Sequence, residues 1–239
     1  MKNNILVICA QHGNEKLGPL FKEYVKKHYP ALFCLLDFMT GNPKALKMGV
    51  RFTDTDLNRS YGKASPKSYE ERRASVITSY IRRTSPTLVL DMHTTTTTQP
   101  NILIVADTSD EVVTRYLRAS HITHVLQVEP MNDLTTVSPH FVAYEVPNDA
   151  LNETLYEQIC RDILRFQKGQ KGTPSKEVFR MSGKIMKKEV SEDVANTFVN
   201  FSYHPLGFYP ILTGENSYRY SSSVPYFGFK ANEKEIITL

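Results

Sequence analysis

The sequence predicts an α/β fold: an open, mostly parallel or mixed sheet flanked by helices, followed by a small β-rich C-terminal domain. Three observations point there. Residues 5–10 (Ile-Leu-Val-Ile-Cys-Ala) and 87–92 (Thr-Leu-Val-Leu-Asp-Met) are near-continuous apolar runs, the pattern of strands buried on both faces of a parallel sheet. Segments of helical spacing alternate with these and further strand candidates as far as Gln167. After that, Lys168-Gly169-Gln170-Lys171-Gly172-Thr173-Pro174-Ser175 is a polar, glycine-containing stretch of the kind that joins domains, which divides the chain into units 1–167 and 168–239.

Residues 5–10 make the first central strand. From Glu15 onward, Leu17, Leu20, Phe21, Tyr24 and Val25 recur at helical spacing until His28-Tyr29-Pro30 supplies a stop. Residues 32–39 read as a second strand ending at Thr40-Gly41-Asn42-Pro43, and the segment from there to Tyr69 is loop-rich. Residues 69–83 read as a helix with Ala74, Ile77 and Ile81 on one side, and 87–92 as the third strand. Strands over 101–106, 124–128 and 140–146 and helices over 110–119 and 151–167 complete the first unit. In the second unit, 178–181, 184–186, 197–201 and 208–212 are short β-like pieces separated by Gly and Pro. The one low-complexity feature is the threonine run 94–98.

With 41% hydrophobic and 23% charged residues in 239, the composition is that of a folded globular chain. The net charge of +4 comes from 29 basic and 25 acidic residues spread along the chain, which excludes a nucleic-acid footprint and suits a small anionic substrate. Cys9, Cys34 and Cys160 lack CxxC spacing, so neither a disulfide framework nor a cysteine-rich zinc module is indicated, and a cytoplasmic setting is expected. The apolar run 5–10 is too short for a signal peptide, and nowhere do about twenty apolar residues follow one another, so no membrane span is expected. Homo-oligomerisation is left open.

The chemistry concentrates at strand ends. His12 and Glu15 form an HxxE pair directly after the first strand, and His93 closes the third; ligands collect at that edge of open α/β sheets. Two histidines and one carboxylate, with a fourth position left for water, make the ligand set of one catalytic zinc ion. Glu145, near the end of the strand 140–146, can serve as the general base and later protonate the leaving amine. Arg51 and Asp56-Leu57-Asn58-Arg59 fall in the loop-rich segment. The planar guanidinium fork suits carboxylates, so Arg51 can stabilise a developing oxyanion while Asn58 and Arg59 hold a substrate carboxylate.

In order and number, His12-Gly13-Asn14-Glu15, Gly41-Asn42-Pro43, Arg51, Asp56-Leu57-Asn58-Arg59, Asp91-Met92-His93-Thr94-Thr95 and Tyr144-Glu145-Val146 resemble the aspartoacylase and succinylglutamate desuccinylase family, itself similar to zinc carboxypeptidases. Tyr69-Glu70-Glu71-Arg72-Arg73-Ala74 is nearer the aspartoacylase branch. The resemblance implies zinc on His12, Glu15 and His93, with Arg51 polarising an amide carbonyl and Asn58 and Arg59 on the α-carboxylate. It implies Glu145 as base and acid, and hydrolysis of N-acetyl-L-aspartate or a similar N-acyl acidic amino acid. Glu215-Asn216-Ser217-Tyr218 resembles a family stretch whose tyrosine enters the substrate pocket, which carries a substrate-binding role to Tyr218.

Two positions depart from the family. Thr135-Thr136 is followed by Val137 where aspartoacylases have an arginine that helps to read the side-chain carboxylate, and Pro147-Asn148-Asp149-Ala150 replaces a Gly/Pro/Gln-rich run. Arg219 and Lys230 are the candidates for the missing charge. The alternative readings are a zinc carboxypeptidase acting on a peptide or cell-wall fragment, and a binding module whose closed zinc site uses Cys9 with His12. Against the last, Cys9 shares the parity of Ile5 and Val7 and so is expected in the core.

Overall fold

The chain runs, in a computed structural model that describes residues 4–221 and 224–239, through β1 (Ile5–Cys9), α1 (Leu17–His28), α2 (Pro30–Phe33), β2 (Leu36–Thr40), α3 (Pro43–Met48), α4 (Tyr69–Thr84), β3 (Leu88–Thr95) and β4 (Ile102–Val105). It continues through α5 (Glu111–Ala119), β5 (His124–Gln127), β6 (Phe141–Pro147), α6 (Glu153–Lys168), β7 (Ser175–Met186), α7 (Glu192–Ala195), β8 (Tyr209–Ile211), α8 (Asn216–Arg219) and β9 (Tyr226–Thr238). The strands form one mixed sheet in the order β2-β1-β3-β6-β4-β5-β7-β9-β8. Pairing is parallel from β2 to β6 and again from β4 through β5 to β7; β4 meets β6 antiparallel, as do β7, β9 and β8 among themselves. The α/β class expected from the sequence is the class observed.

Strand alternation sorts the core into two layers. Ile5, Val7 and Cys9 of β1, with Leu88, Leu90 and Met92 of β3, face α1, α5 and α6. Leu6, Ile8 and Val89 face the opposite way, toward Ala74, Ile77 and Ile81 of α4 and toward Leu57 and Tyr61. His93 shares the parity of Val89, and Glu145 that of Phe141 and Ala143, so both belong to the second face.

Several elements differ from expectation. Pro30 opens the short helix α2, for which its fixed φ is preorganised, so β2 begins only at Leu36. Within the loop-rich segment lies α3, capped at its start by the Asn42 side chain accepting from the Ala45 N–H at 3.0 Å and ended by Gly49 at φ 66°. The pieces 178–181 and 184–186 are parts of one strand, β7, whereas 197–201 is not a strand. The thirteen-residue β9 carries mostly exposed side chains at its charged end, and pairing with β7 rather than an apolar pattern makes it a strand. Through Val125↔Val178, β7 continues the sheet beyond β5, and the strands after it share an apolar cluster of Phe179, Phe201, Ile211, Phe229 and Ala231. Among the described residues no helix is long and apolar enough to cross a membrane.

A buried carboxylate shapes the loop between α3 and α4. Glu70, fully buried, accepts from Asn42 Nδ2, from the Thr53 N–H and hydroxyl, and from the N–H groups of Asp54 and Thr55. Burial raises its pKa, but the bonds from Thr53, Asn42 and Thr55 outweigh this and bring it down to about 2 from 4.5. A depressed folded-state pKa means that the stabilisation is complete above the unfolded value and is lost as pH falls toward 2. Replacing Glu70 with Gln is expected to cost about 1–3 kcal/mol at pH 7. The gap from the parent protein, measured by urea unfolding, should narrow between pH 5 and pH 3; a gap that stays constant would contradict the charge-based role.

Candidate active site

The first strand ends in a turn that aims two side chains at one point. Ala10 takes a left-handed backbone (φ 54°), which swings Gln11 and His12 out of the strand direction. Gly13 lies against α3 so closely that a Cβ there would stand 2.1 Å from the Ala45 carbonyl carbon; only glycine lets the turn seat on that helix. The same turn carries Glu15 back toward His12.

Glu15 stands between two imidazoles. Its Oε1 is 2.6 Å from His12 Nδ1 and its Oε2 is 2.8 Å from His93 Nδ1, and all three residues are buried. The far nitrogens are held as well: His12 Nε2 lies 2.9 Å from Asp56 Oδ1, and His93 Nε2 lies 2.7 Å from Asp91 Oδ2. Every imidazole nitrogen therefore faces a carboxylate. Either both rings are doubly protonated, or a cation occupies the point where the two Nδ1 atoms and Glu15 converge.

One ligand atom from each of His12, Glu15 and His93 lies within 4.8 Å of the others, and the aspartates fix the rings with their Nδ1 lone pairs turned inward. The donor set, two imidazoles and one carboxylate, fits a zinc ion with an open position. The electrostatics agree. Burial lowers the pKa of both imidazoles, yet Glu15 beside His12, and Asp91 and Glu15 beside His93, more than reverse it, while burial of Glu15 is overridden by the two rings, which hold its carboxyl well below the usual range. The site is built to contain positive charge.

The other residues singled out from the sequence line the same cavity: Arg51, Asn58, Arg59, Glu145 and Tyr218 join His12, Glu15 and His93. Arg51 Nη2 is 3.3 Å from Asp56 Oδ2, and its Nη1 is 3.7 Å from Glu15 Oε1. Asn58 and Arg59 sit in a single 3-10 turn, Leu57–Arg59, whose start is capped by the Asp56 side chain; the Arg59 guanidinium donates to the Asn58 carbonyl at 2.7 Å. Glu145 is the cross-strand register partner of His93 and lies half-buried in the wall. Burial pushes its carboxyl up to about 8; His93 opposes this, and the nearby Glu15 and Glu215 charges reinforce it.

Several residues to which the sequence pattern assigns no role organise this cavity. Gln11 donates to Asp91 and accepts from the buried Tyr61 hydroxyl at 2.8 Å, and its amide lies 3.4 Å from Asn58 Oδ1, linking the His93 support to the 3-10 turn. The spacing Asp91-x-His93 was the legible signal, since alternate residues of a strand share a face. Gln11 and Tyr61 had none.

The threonine run also acquires a role. Glu215 accepts from the Thr95 hydroxyl (2.6 Å) and from the Thr96 N–H (2.7 Å) and hydroxyl (2.9 Å). Asn200 donates to Thr97 Oγ1 and to the carbonyls of Thr98 and Thr213. These bonds clasp the segment bearing Tyr218 to the end of β3.

Cys9 sits in the core with its Sγ against Gly18, and burial pushes its thiol up to about 12, so it is no part of the histidine cluster. Arg219 and Lys230 do not line the cavity: Arg219 bonds Asn196 Oδ1 at 3.0 Å, and Lys230 lies over the Phe208 ring. The expectation that one of them replaces the missing arginine is thereby corrected. Val137 packs against the α4 layer.

Comparison with known proteins agrees with this architecture. The structure resembles murine aminoacylase 3 (TM-score 0.71, 19% identity, 99% of this chain and 97% of that one) and the succinylglutamate desuccinylase of Chromobacterium violaceum (TM-score 0.73, 18% identity, 100% and 86%), a likeness of fold. In sequence it is 26% identical over 171 residues to a probable aspartoacylase of Trichodesmium erythraeum, covering 66% of this chain and 53% of that protein. The chain thus matches about half the length of such curated relatives. The family model described as succinylglutamate desuccinylase/aspartoacylase catalytic domain matches residues 2–147, well over half of the chain. On that match, seated on the strands that carry the histidine–glutamate cluster, the chain belongs to the succinylglutamate desuccinylase/aspartoacylase family.

Proposed function

We propose that this protein is a zinc-dependent deacylase that hydrolyses the amide bond of an N-acyl amino acid, releasing a carboxylate and the free amino acid. The observation that carries this reading is the triad of buried donors, His12, Glu15 and His93, facing the same cavity as a carboxylate outside the triad, Glu145. A zinc ion held by the three donors supplies Lewis acidity and makes water a competent nucleophile near neutral pH.

In this reading Glu145 accepts a proton from the attacking water and delivers it to the departing nitrogen. Arg51, oriented by Asp56, stabilises the negative charge that develops on the carbonyl oxygen. Asn58 and Arg59 hold the α-carboxylate, and Tyr218 closes the pocket from the C-terminal unit 168–239. A cavity walled partly by Glu215, Ser217 and Tyr218 suits a small acyl amino acid better than a peptide chain, which disfavours the carboxypeptidase alternative. The relatives named aspartoacylase point to an acidic amino acid; the cavity lining points elsewhere. The three free cysteines suit a cytoplasmic setting.

Glu145→Gln should lower kcat by about 10²–10⁴-fold while zinc content, measured by atomic emission, stays at one ion per chain. Near-parental turnover would remove Glu145 from the role of base. Arg59→Ala should raise KM by about 10–100-fold with a smaller change in kcat, because a carboxylate clamp acts in ground and transition states alike. An unchanged KM contradicts that clamp. Stripping zinc with a chelator should lower the melting temperature by about 5–10 °C, as expected for a ligand present at about a hundred times its dissociation constant. In His93→Ala the chelator should have little effect; an equal drop in both proteins would show that the metal binds elsewhere.

A further inference from the structure

A row of apolar side chains begins two residues before Glu145. Ala143 on β6 is the register partner of Ile104 on β4, which pairs in turn with Leu126 on β5. Side chains at paired positions point to the same face of a sheet, so these three share the face that carries Glu145. Met131, Met181 and Phe229 extend the same wall of the cavity.

The residues of the carboxylate clamp line the same cavity as this wall. Leu57 and Tyr61, which flank Asn58 and Arg59, belong to the same apolar cluster as Phe141 and Ala143. For an amino acid held by its α-carboxylate on Asn58 and Arg59, the Ala143–Ile104–Leu126 row is an apolar surface of the same cavity open to its side chain.

Nothing on that wall matches a second carboxylate. Among the described residues, the lysines and arginines lining the cavity are Arg51 and Arg59, and Arg51 is already opposed by Asp56 and Glu15. The lining adds the carboxylates Asp133 and Glu215, while Arg219 and Lys230 lie outside it. An acidic side chain would lose its hydration against apolar and like-charged groups with no cation in return.

From the juxtaposition of the Asn58–Arg59 clamp with the Ala143–Ile104–Leu126 row we infer that the amino acid released carries a neutral, apolar side chain, aliphatic or aromatic, and not an acidic one. The inference rests on the deacylase reading, and two measurements on the full zinc-loaded chain keep the two apart. In a hydrolysis panel, N-acetyl-leucine, N-acetyl-methionine and N-acetyl-phenylalanine should exceed N-acetyl-aspartate and N-acetyl-glutamate by at least about ten-fold in kcat/KM. In calorimetric titration of Glu145→Gln, which needs no turnover, the same three should bind at least about ten-fold more tightly than the acidic pair.

Equal or better performance of N-acetyl-aspartate in either measurement overturns the inference and leaves the deacylase reading standing. No turnover of any compound, with tighter binding of the apolar three, sinks the deacylase reading and retains the pocket. Binding of none overturns both. As a second variant, Met181→Arg, at a half-buried position, adds a cation to the wall and should move the leucine-to-aspartate ratio by about ten-fold toward aspartate. An unmoved ratio overturns the placement of the side chain on this wall.

Discussion

The Glu15 carboxylate lodged between two imidazoles is the interaction on which the rest of this molecule turns. Each oxygen faces one ring, and each ring is braced from behind by an aspartate, Asp56 or Asp91. Burying so many carboxylates without compensation would be costly, so the cluster is viable only with matching positive charge, on the two rings or on a cation between them. The left-handed Ala10, the close seat of Gly13 on α3 and the Gln11–Asp91 bond all serve to deliver His12, Glu15 and His93 to that centre with little remaining freedom.

Two polar networks extend this order outward. Glu70 gathers the backbone of residues 53–55 and the Asn42 cap, so the segment leading from Arg51 to Asp56 is tied at once to α3 and α4. On the other side, the threonine run and Asn200 bind the C-terminal segment to the end of β3. A tract with low sequence complexity thereby becomes a strip of hydroxyl and amide donors matched to Glu215 and Asn200. The cavity between these networks has one polar end, at the histidines and arginines, and one apolar end along β6, β4 and β5. That division follows from the pleat of the sheet, since residues two apart on β6, Glu145 and Ala143, present different chemistry to one space.

The extent to which the sequence was legible depended on the range of the interaction. Residues 5–10 and 87–92 could be read as central strands because near-continuous burial on both faces leaves a local apolar signature. The helix over 69–83 was readable for the same reason, through Ala74, Ile77 and Ile81. The thirteen-residue β9 was not, since its backbone partners lie on β7 and β8 while its charged end carries no apolar alternation. The start of the 32–39 segment misled in the opposite sense, its apolar residues suggesting a strand where Pro30 opens a helical turn.

At the candidate site, the sequence alone determined which residue types were present and on which strand ends: His12 with Glu15 after the first strand, His93 and Glu145 near the ends of two others, arginines in the loop between. The tertiary structure decided that these meet in one cavity with Asn58, Arg59 and Tyr218, that Asp56 braces His12 while Gln11 bonds Asp91, and that Arg219 and Lys230 stay outside. The physical reason is one of range. Burial and propensity act over a few neighbouring residues and leave a trace in the local pattern, whereas hydrogen bonds and charge pairing across 44 to 120 positions of chain depend on strand order and register, which no local pattern encodes.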